Sequence, residues 1–335
     1  MKRIFFAIIS AISAIMLTSC ANSPKKAQEQ FIAMDIYMTV EAYGENAEKA
    51  VLESKEAVVK LEKLLSVNDE NSEIYAVNHG KSPDLSEETL DLITFSLNIA
   101  EKTHGAFDPT VYPITAAWGF TTDEKHVPES GEIASLLEKV GYEKAAVSGK
   151  KVVLQEGMTL DFGGIAKGYA SDKCAEIMRE NGVESAIINL GGNVYALGKR
   201  PDGNLWRIGV ADPSGEGAED RVGLLSVSDC ALVTSGNYQR CFTQNGITYG
   251  HIIDPKTGYP ADNNLLSVTV VAADGTLCDA LSTALFVMGL EEAEKYCCEN
   301  GGFDVILIAK DGEIHITEGL SDKFTSDRKV IVIKR

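Results

Sequence analysis

The chain has 335 residues, 44% of them hydrophobic, which excludes a fibre or a disordered chain and leaves room for one large domain or two small ones. Against 31 basic side chains stand 49 acidic ones, a formal charge of −18, and no basic patch interrupts them, so a nucleic-acid partner is excluded by repulsion.

At the N-terminus, Lys2 and Arg3 precede an apolar run from Ile4 to Leu17, followed by Thr18, Ser19 and Cys20. The run is too short for a bilayer-spanning helix and has the layout of a secretory signal, expected over residues 1–19. The sequence LTSC resembles the lipobox of bacterial lipoproteins, in which Cys20 would become the lipidated first residue; the alternative is an ordinary signal peptide with an incidental cysteine. Residues 20–30 are polar, contain a proline and read as a tether, so that acyl chains hold the body, residues 31–335, at a membrane surface. That places the body on the extracytoplasmic face of a bacterial membrane, facing either a periplasm or a Gram-positive cell surface. The six later cysteines match no zinc spacing, and buried free thiols are expected although an exported address permits disulfides.

Residues 31–43, FIAMDIYMTVEAY, are rich in β-branched and aromatic residues and read as a strand. Over 45–65 the apolar positions recur at helical spacing, and a second amphipathic helix is expected over 86–103, opened by Ser86 with acidic residues behind it. The stretch HGAFDPTVYPITAAWGF reads as an ordered loop, and 130–140 as a helix closed by Gly141. Short strands at 145–148 and 151–154 lead to a glycine turn and a helix over about 165–180. ESAIINLGGNVYALG reads as two strands around a glycine break, and residues 205–211 and 222–235 continue the β-rich part. After the strand-like CFTQNG and the turn-rich TYGHIIDPKTGYPA come a strand LLSVTVVA, helices near 276–288 and 290–299, the strand FDVILIA and a β-prone end. Strands and helices mix without the regular alternation of a doubly wound or barrel fold, which predicts a single α+β body of mixed sheets and helices.

Three stretches carry chemistry. In DFGGIAKGYA (161–170) two glycines let the backbone press against a ligand, the following helix start offers unpaired amides to a phosphate, and Lys167 adds a point charge on what reads as an exposed helix start with little packing duty. Its spacing is neither a Walker motif nor a dinucleotide fingerprint, and alone it reads equally as a structural turn. In DALST, Asp279 and Thr283 stand four apart and project from one face of a helix, a hard-oxygen pair suited to magnesium; alone, the pair reads as a helix-start aspartate and a back-bonded threonine. In HIIDPKTG, His251 precedes a tight loop and is either a proton relay or a loop histidine bonded to the main chain.

In their order, AFDPTVYP, DFGGIAKGYASD, INLGGNVYALG, HIIDPKTGYP and CDALSTALFVMG resemble the bacterial FAD:protein FMN transferase family, the ApbE-like flavin-trafficking lipoproteins, across about residues 31–310. The resemblance implies an FAD-binding body that transfers FMN from FAD, its substrate, to a threonine or serine hydroxyl of a client and releases AMP, with Mg2+ as cofactor. It implies an FAD pocket including Met34, Ala106, Phe107, Asp108, Asp161 and Lys167, with Ile253 the preferred member of the Ile252–Ile253 pair at the flavin or adenine. It further implies a metal site from the Gly164 carbonyl, Asp279 and Thr283 with Ser282 as neighbour, and His251 assisting transfer with Asp279 sharing that duty. Clients implied are flavoproteins such as subunits of membrane redox pumps, sodium-pumping NADH:quinone oxidoreductase and Rnf-type among them, or FMN-binding domains. Two positions depart from the family pattern: MDI replaces an MGT-like stretch at Met34, and Asn68 stands where many relatives carry a tyrosine over the flavin. Asn68 resembles relatives that hydrolyse FAD to FMN and AMP. A surface lipoprotein that binds FAD without turnover is the non-enzymatic alternative, and an immune or adhesion lipoprotein a third.

Overall fold

In the computed structural model, residues 24–335 are described except 123, 216, 218, 219 and 239. The expected signal peptide and Cys20 lie outside the described residues.

The chain opens with strands β1 (Lys26–Ala33) and β2 (Ile36–Tyr43), not with one strand over 31–43. Met34 and Asp35 take φ of 51° and 59°, the left-handed pair that a two-residue hairpin turn requires, so the strand-like stretch folds back on itself. The polar segment read as a tether is therefore strand from Lys26 onward. Helix α1 (Ala47–Leu65) follows as expected, then α2 (Glu73–Asn78) and α3 (Glu87–Lys102), whose N-cap Ser86 accepts from Thr89 N. The proline-rich loop contains one short helix, α4 (Tyr112–Ala117), with a proline in its first turn, and α5 (Ser130–Leu137) follows. The hairpin β3 (Ala145–Ser148) and β4 (Lys151–Leu154) leads to the glycine turn and α6 (Ala166–Glu180).

Next come β5 (Ser185–Leu190), β6 (Asn193–Gly198), β7 (Trp206–Ala211), β8 (Arg221–Val227) and β9 (Cys230–Gly236). The β-rich stretch 222–235 holds two strands, separated at Asp229, which has φ 52°. A small hairpin of β10 (Cys241–Gln244) and β11 (Ile247–Gly250) precedes β12 (Leu265–Ala272), α7 (Gly275–Met288), α8 (Leu290–Glu299) and β13 (Asp304–Ala309). The β-prone end supplies β14 (Ile314–Thr317), β15 (Phe324–Thr325) and β16 (Val330–Ile333).

Nine strands form one sheet in the order β1-β2-β5-β6-β9-β12-β13-β14-β16, antiparallel except for the last pair. Its interior strand β12 is buried on both faces, which is why LLSVTVVA is almost continuously apolar. Val268 and Val270 enter the main core with residues of α1, α6 and α7, whereas Val271 joins a second core beneath the three-stranded sheet β15-β8-β7. A third cluster around Trp118, Ile133 and Ile253 underlies the loops that follow α3 and β11. Strands and helices thus share one α+β body, as the sequence predicts, and the six described cysteines are free. Among the described residues no helix is long and apolar enough to cross a membrane.

Candidate functional site

The glycine turn is pinned from two sides before it reaches α6. Asn78 at the end of α2 holds both backbone groups of Leu160, donating to its oxygen at 2.8 Å and accepting from its nitrogen at 2.7 Å. Asp161 N then donates to Pro109 O at 2.8 Å, which joins the DFGG stretch to the AFDP stretch. Burial raises the Asp161 carboxyl above its ordinary value, opposed by the backbone N–H groups of Gly163 and Phe162 and by the Lys167 charge.

Helices α6 and α7 then cross at nearly bare backbone. A Cβ on Gly168 would lie 2.2 Å from Gly275 O and 2.7 Å from the Asp279 Cβ, so only glycine allows this approach. Asp172 clamps the crossing: its carboxylate accepts from Gly275 N at 2.7 Å, Thr276 N at 2.8 Å and Thr276 Oγ1 at 2.6 Å, while Asp274 caps α7 through Leu277 N at 2.8 Å. Burial pushes the Asp172 carboxyl up to about 6, with the Asp274 charge adding to it and the three hydrogen bonds opposing it.

This crossing places Asp279, 3% exposed, with Oδ2 accepting from Gly168 N at 2.8 Å and lying 3.8 Å from Lys167 Nζ. Among the described residues Asp279 Oδ1 accepts no hydrogen bond. Lys167 Nζ also donates to Gly163 O at 3.2 Å, and its side chain is only 24% exposed. The expectation of an exposed Lys167 with little packing duty is corrected: it is the counter-charge of a buried carboxylate, because the helix crossing brings α7 against the first turn of α6. One turn along α7, Thr283 faces the glycine turn; a Cβ on Gly164 would be 3.4 Å from both Thr283 Oγ1 and the Phe107 ring.

Ser282 is fully buried, and its hydroxyl serves Asp279 O at 2.8 Å and Ser235 Oγ at 2.7 Å, which places it behind Thr283. No group of three or more His, Cys, Asp or Glu side chains able to hold a metal occurs among the described residues. A cation at this seam would therefore rest on one carboxylate, one hydroxyl and backbone oxygen. That hard-oxygen set, with Asp279 Oδ1 unengaged, fits magnesium.

Ala106 and Phe107 are buried beneath the turn, whereas the Asp108 carboxylate is spent on its own loop, accepting from Thr110 N and Oγ1 at 2.8 and 2.6 Å and from Tyr142 N at 3.0 Å. Met34 and Asn68 lie at the far end of α1. Met34 N donates to Glu62 at 2.6 Å, and Asn68 N donates to Ser66 Oγ at 3.1 Å with its side chain exposed. No hydrogen bond or ion pair among the described residues joins either one to the α6–α7 seam.

His251 follows β11, its backbone N–H donating to Arg240 O at 3.0 Å. Burial first, then the Arg240 charge, lowers the imidazole to about 4; the Arg240 backbone opposes this and Lys167 adds to it, so His251 shares the field of the seam. Its Nδ1 is buried without a partner. The loop beyond is clipped by Asn237, which accepts from Ile252 N at 3.2 Å and donates to Ala261 O at 3.0 Å. Ile252 turns into the main core and Ile253 into the Trp118 cluster, where the indole donates to Gly258 O at 2.9 Å. Open clefts of about 550 Å3 along α1 and about 480 Å3 beside β9 and Phe303 are lined by none of Gly164, Lys167, Asp279, Thr283 or His251.

Sequence reasoning missed Asn78, Asp172, Ser235 and Asn237. Asp172 alone had a signal, as the last residue of DFGGIAKGYASD.

The ApbE family profile matches residues 34–307. The chain is similar to the FAD:protein FMN transferase of Treponema pallidum, 34% identical over 282 residues and covering 78% of this chain and 77% of that one. A Klebsiella pneumoniae FAD:protein FMN transferase is 34% identical over 266 residues, 77% of this chain and 81% of the relative. In three dimensions the crystal structure of the ApbE protein from Thermotoga maritima superposes with a TM-score of 0.83 at 32% identity, covering 91% of this chain and 100% of that one. Since the matched stretch begins at the hairpin turn of Met34, runs into β13 and so encloses every residue of the seam, this chain belongs to the ApbE family.

Proposed function

We propose that the protein is an FAD:protein FMN transferase that moves FMN from FAD to a threonine or serine hydroxyl of a client flavoprotein and releases AMP. The observation that carries this reading is the meeting of Gly164, Lys167, Asp279 and Thr283 across the α6–α7 crossing, from segments more than a hundred residues apart. Such a seam suits a pyrophosphate. The amides at the start of α6 and the Lys167 ammonium attract it, and Asp279, Thr283 and the Gly164 carbonyl are the ligands offered to magnesium. The chemistry the cation supplies there is neutralisation of charge on the transferred phosphate, which offsets the acidity of the whole chain locally.

In the reaction the acceptor oxygen forms a bond to the FMN phosphorus, the bond from that phosphorus to the bridging oxygen breaks, and AMP departs with the electron pair. The acceptor's proton goes to a base. His251 is neutral at pH 7 and has a buried nitrogen without a partner, so it takes that role. Lys167 keeps the phosphates oriented. Met34, Asn68, Ala106, Phe107, Asp108, Asp161 and Ile253 are assigned to the pocket, with Phe107 and Asp161 nearest the glycine turn and Asp108 acting through its loop. Client flavoproteins, membrane redox-pump subunits or FMN-binding domains, would meet the body where Cys20 anchors it by lipid on the extracytoplasmic face.

A second reading, hydrolysis of FAD to FMN and AMP, draws on the exposed, non-aromatic Asn68. The test combines the full chain with FAD, magnesium and a client domain, and follows covalent flavin by in-gel fluorescence and client mass. Gain of the FMN mass, abolished by EDTA and lowered about a thousandfold by Asp279→Ala, is expected, since a metal ligand controls several kcal/mol of charge stabilisation. Release of FMN and AMP without client labelling would favour hydrolysis. Bound but unchanged FAD would leave only a binding protein.

A further inference from the structure

We infer that Ser235 is a positioning residue that turns the Thr283 hydroxyl proton away from the glycine turn and leaves the threonine lone pairs facing a cation. The inference rests on the metal reading above and goes beyond the ligand set.

It follows from counting protons. A hydroxyl has one hydrogen to donate and lone pairs to accept with. Ser282 Oγ lies 2.8 Å from Asp279 O, and a carbonyl can only accept, so the single proton of Ser282 points there. The 2.7 Å contact between Ser282 Oγ and Ser235 Oγ must then be donated by Ser235. Ser235 has no proton left, so across the 3.4 Å contact with Thr283 Oγ1 the donor is Thr283. The chain runs in one direction, from Thr283 to Ser235 to Ser282 to the Asp279 carbonyl, and the carbonyl at its end fixes the order. At 3.4 Å the first link is long for a hydroxyl pair, so it orients the Thr283 hydroxyl more than it binds it. Thr283 Oγ1 also stands 3.4 Å from where a Gly164 Cβ would lie, so the glycine turn and Ser235 are both neighbours of this oxygen.

The support is stiff. Ser235 sits on β9, between β6 and β12 in the large sheet, opposite Val268 in the register, and its neighbour Thr234 bonds Thr269 across the strands at 2.8 Å. A side chain from a central strand thus holds a group on a helix, as outer-sphere partners of metal ligands do.

The test titrates the full chain with Mn2+ alone and reads the free-ion signal by electron paramagnetic resonance. Ser235→Ala should weaken Mn2+ binding about tenfold, the lower end of outer-sphere effects, while Ser235→Thr retains wild-type affinity. Ser282→Ala should weaken it in the same direction although Ser282 lies behind Thr283, because the freed Ser235 proton can then swing to Thr283 and reverse its hydroxyl. In turnover, the metal concentration for half-maximal rate should rise more than kcat falls. Wild-type Mn2+ affinity in both Ser235→Ala and Ser282→Ala, with loss in Asp279→Ala, would overturn the inference and leave the metal reading standing. If neither the wild type nor any variant binds Mn2+, both fall together. Should Ser235→Ala fold poorly, Ser282→Ala decides the matter.

Discussion

The two halves of the candidate site are built in different ways. At the α6–α7 crossing, position is set by backbone: Gly168 against Gly275, the Asp172 carboxylate on the first amides of α7, and Asp279 returning a bond to Gly168 N. On the His251 side, position is set by loops and side chains, through the Asn237 clip, the Asp254 turn accepting from Lys256 N at 2.9 Å, and aromatic rings around Trp118, such as Tyr249 at 5.2 Å. The contrast puts the proposed cation ligands on a close helix crossing and the proposed base on a loop held by side chains. Binding residues on loops over a stiff scaffold follow the same division.

The sharpest way to break this contrast is Gly168→Ala. The added methyl meets Gly275 O and the Asp279 Cβ, so the helices must separate, and a loss of about 3 kcal/mol in urea denaturation together with loss of Mn2+ binding is expected. Unchanged stability would mean that the crossing is not the rigid half.

Asn237→Ala tests the other half. It removes the bonds to Ile252 N and Ala261 O, about 1–2 kcal/mol of local stability, so faster amide exchange over 250–261 and a lower kcat should appear with Mn2+ affinity unaltered. A change in Mn2+ affinity would show that the halves are mechanically one.

The smallest effect is on pH dependence. With the His251 imidazole lowered from 6.5 to about 4, the unfolded chain binds a proton between those values that the native state refuses, so this residue makes stability fall as pH drops from 6.5 toward 4. Asp172, raised from 3.8 to about 6, has the opposite sign: the native state binds the extra proton there, and stability rises as pH drops through that window. Asp108 and Asp161, also raised by burial, add to the Asp172 effect. Wild type should therefore show a shallow slope, and His251→Gln a stability that increases from pH 6 to 4. Denaturation midpoints at those pH values check the sign.

Most elements were legible because their causes are local. Ser86 caps α3 with its own hydroxyl, and the periodic apolar positions of 45–65 form α1. The misreading at 31–43 was local too: the left-handed turn at Met34–Asp35 has no glycine to mark it. Within the site, the DFGG turn and the four-residue spacing of Asp279 and Thr283 were visible, while the partners that hold them were not. Ser235 reaches Ser282 across 47 positions and Asp172 reaches Gly275 across 103, and neither residue type announces a partner so distant.

By itself, then, the sequence determined which atoms face a common side of each element, since helical and strand periods follow from covalent geometry alone. Only the tertiary structure decided that the 164 turn, Asp279 and Thr283 converge, that Lys167 lies half-buried beside Asp279 as its counter-charge, and which partners surround the hydroxyls of Ser282 and Ser235. Those outcomes depend on how closely two helices can approach and on which acceptors lie across the sheet, and both are set by packing over the whole chain.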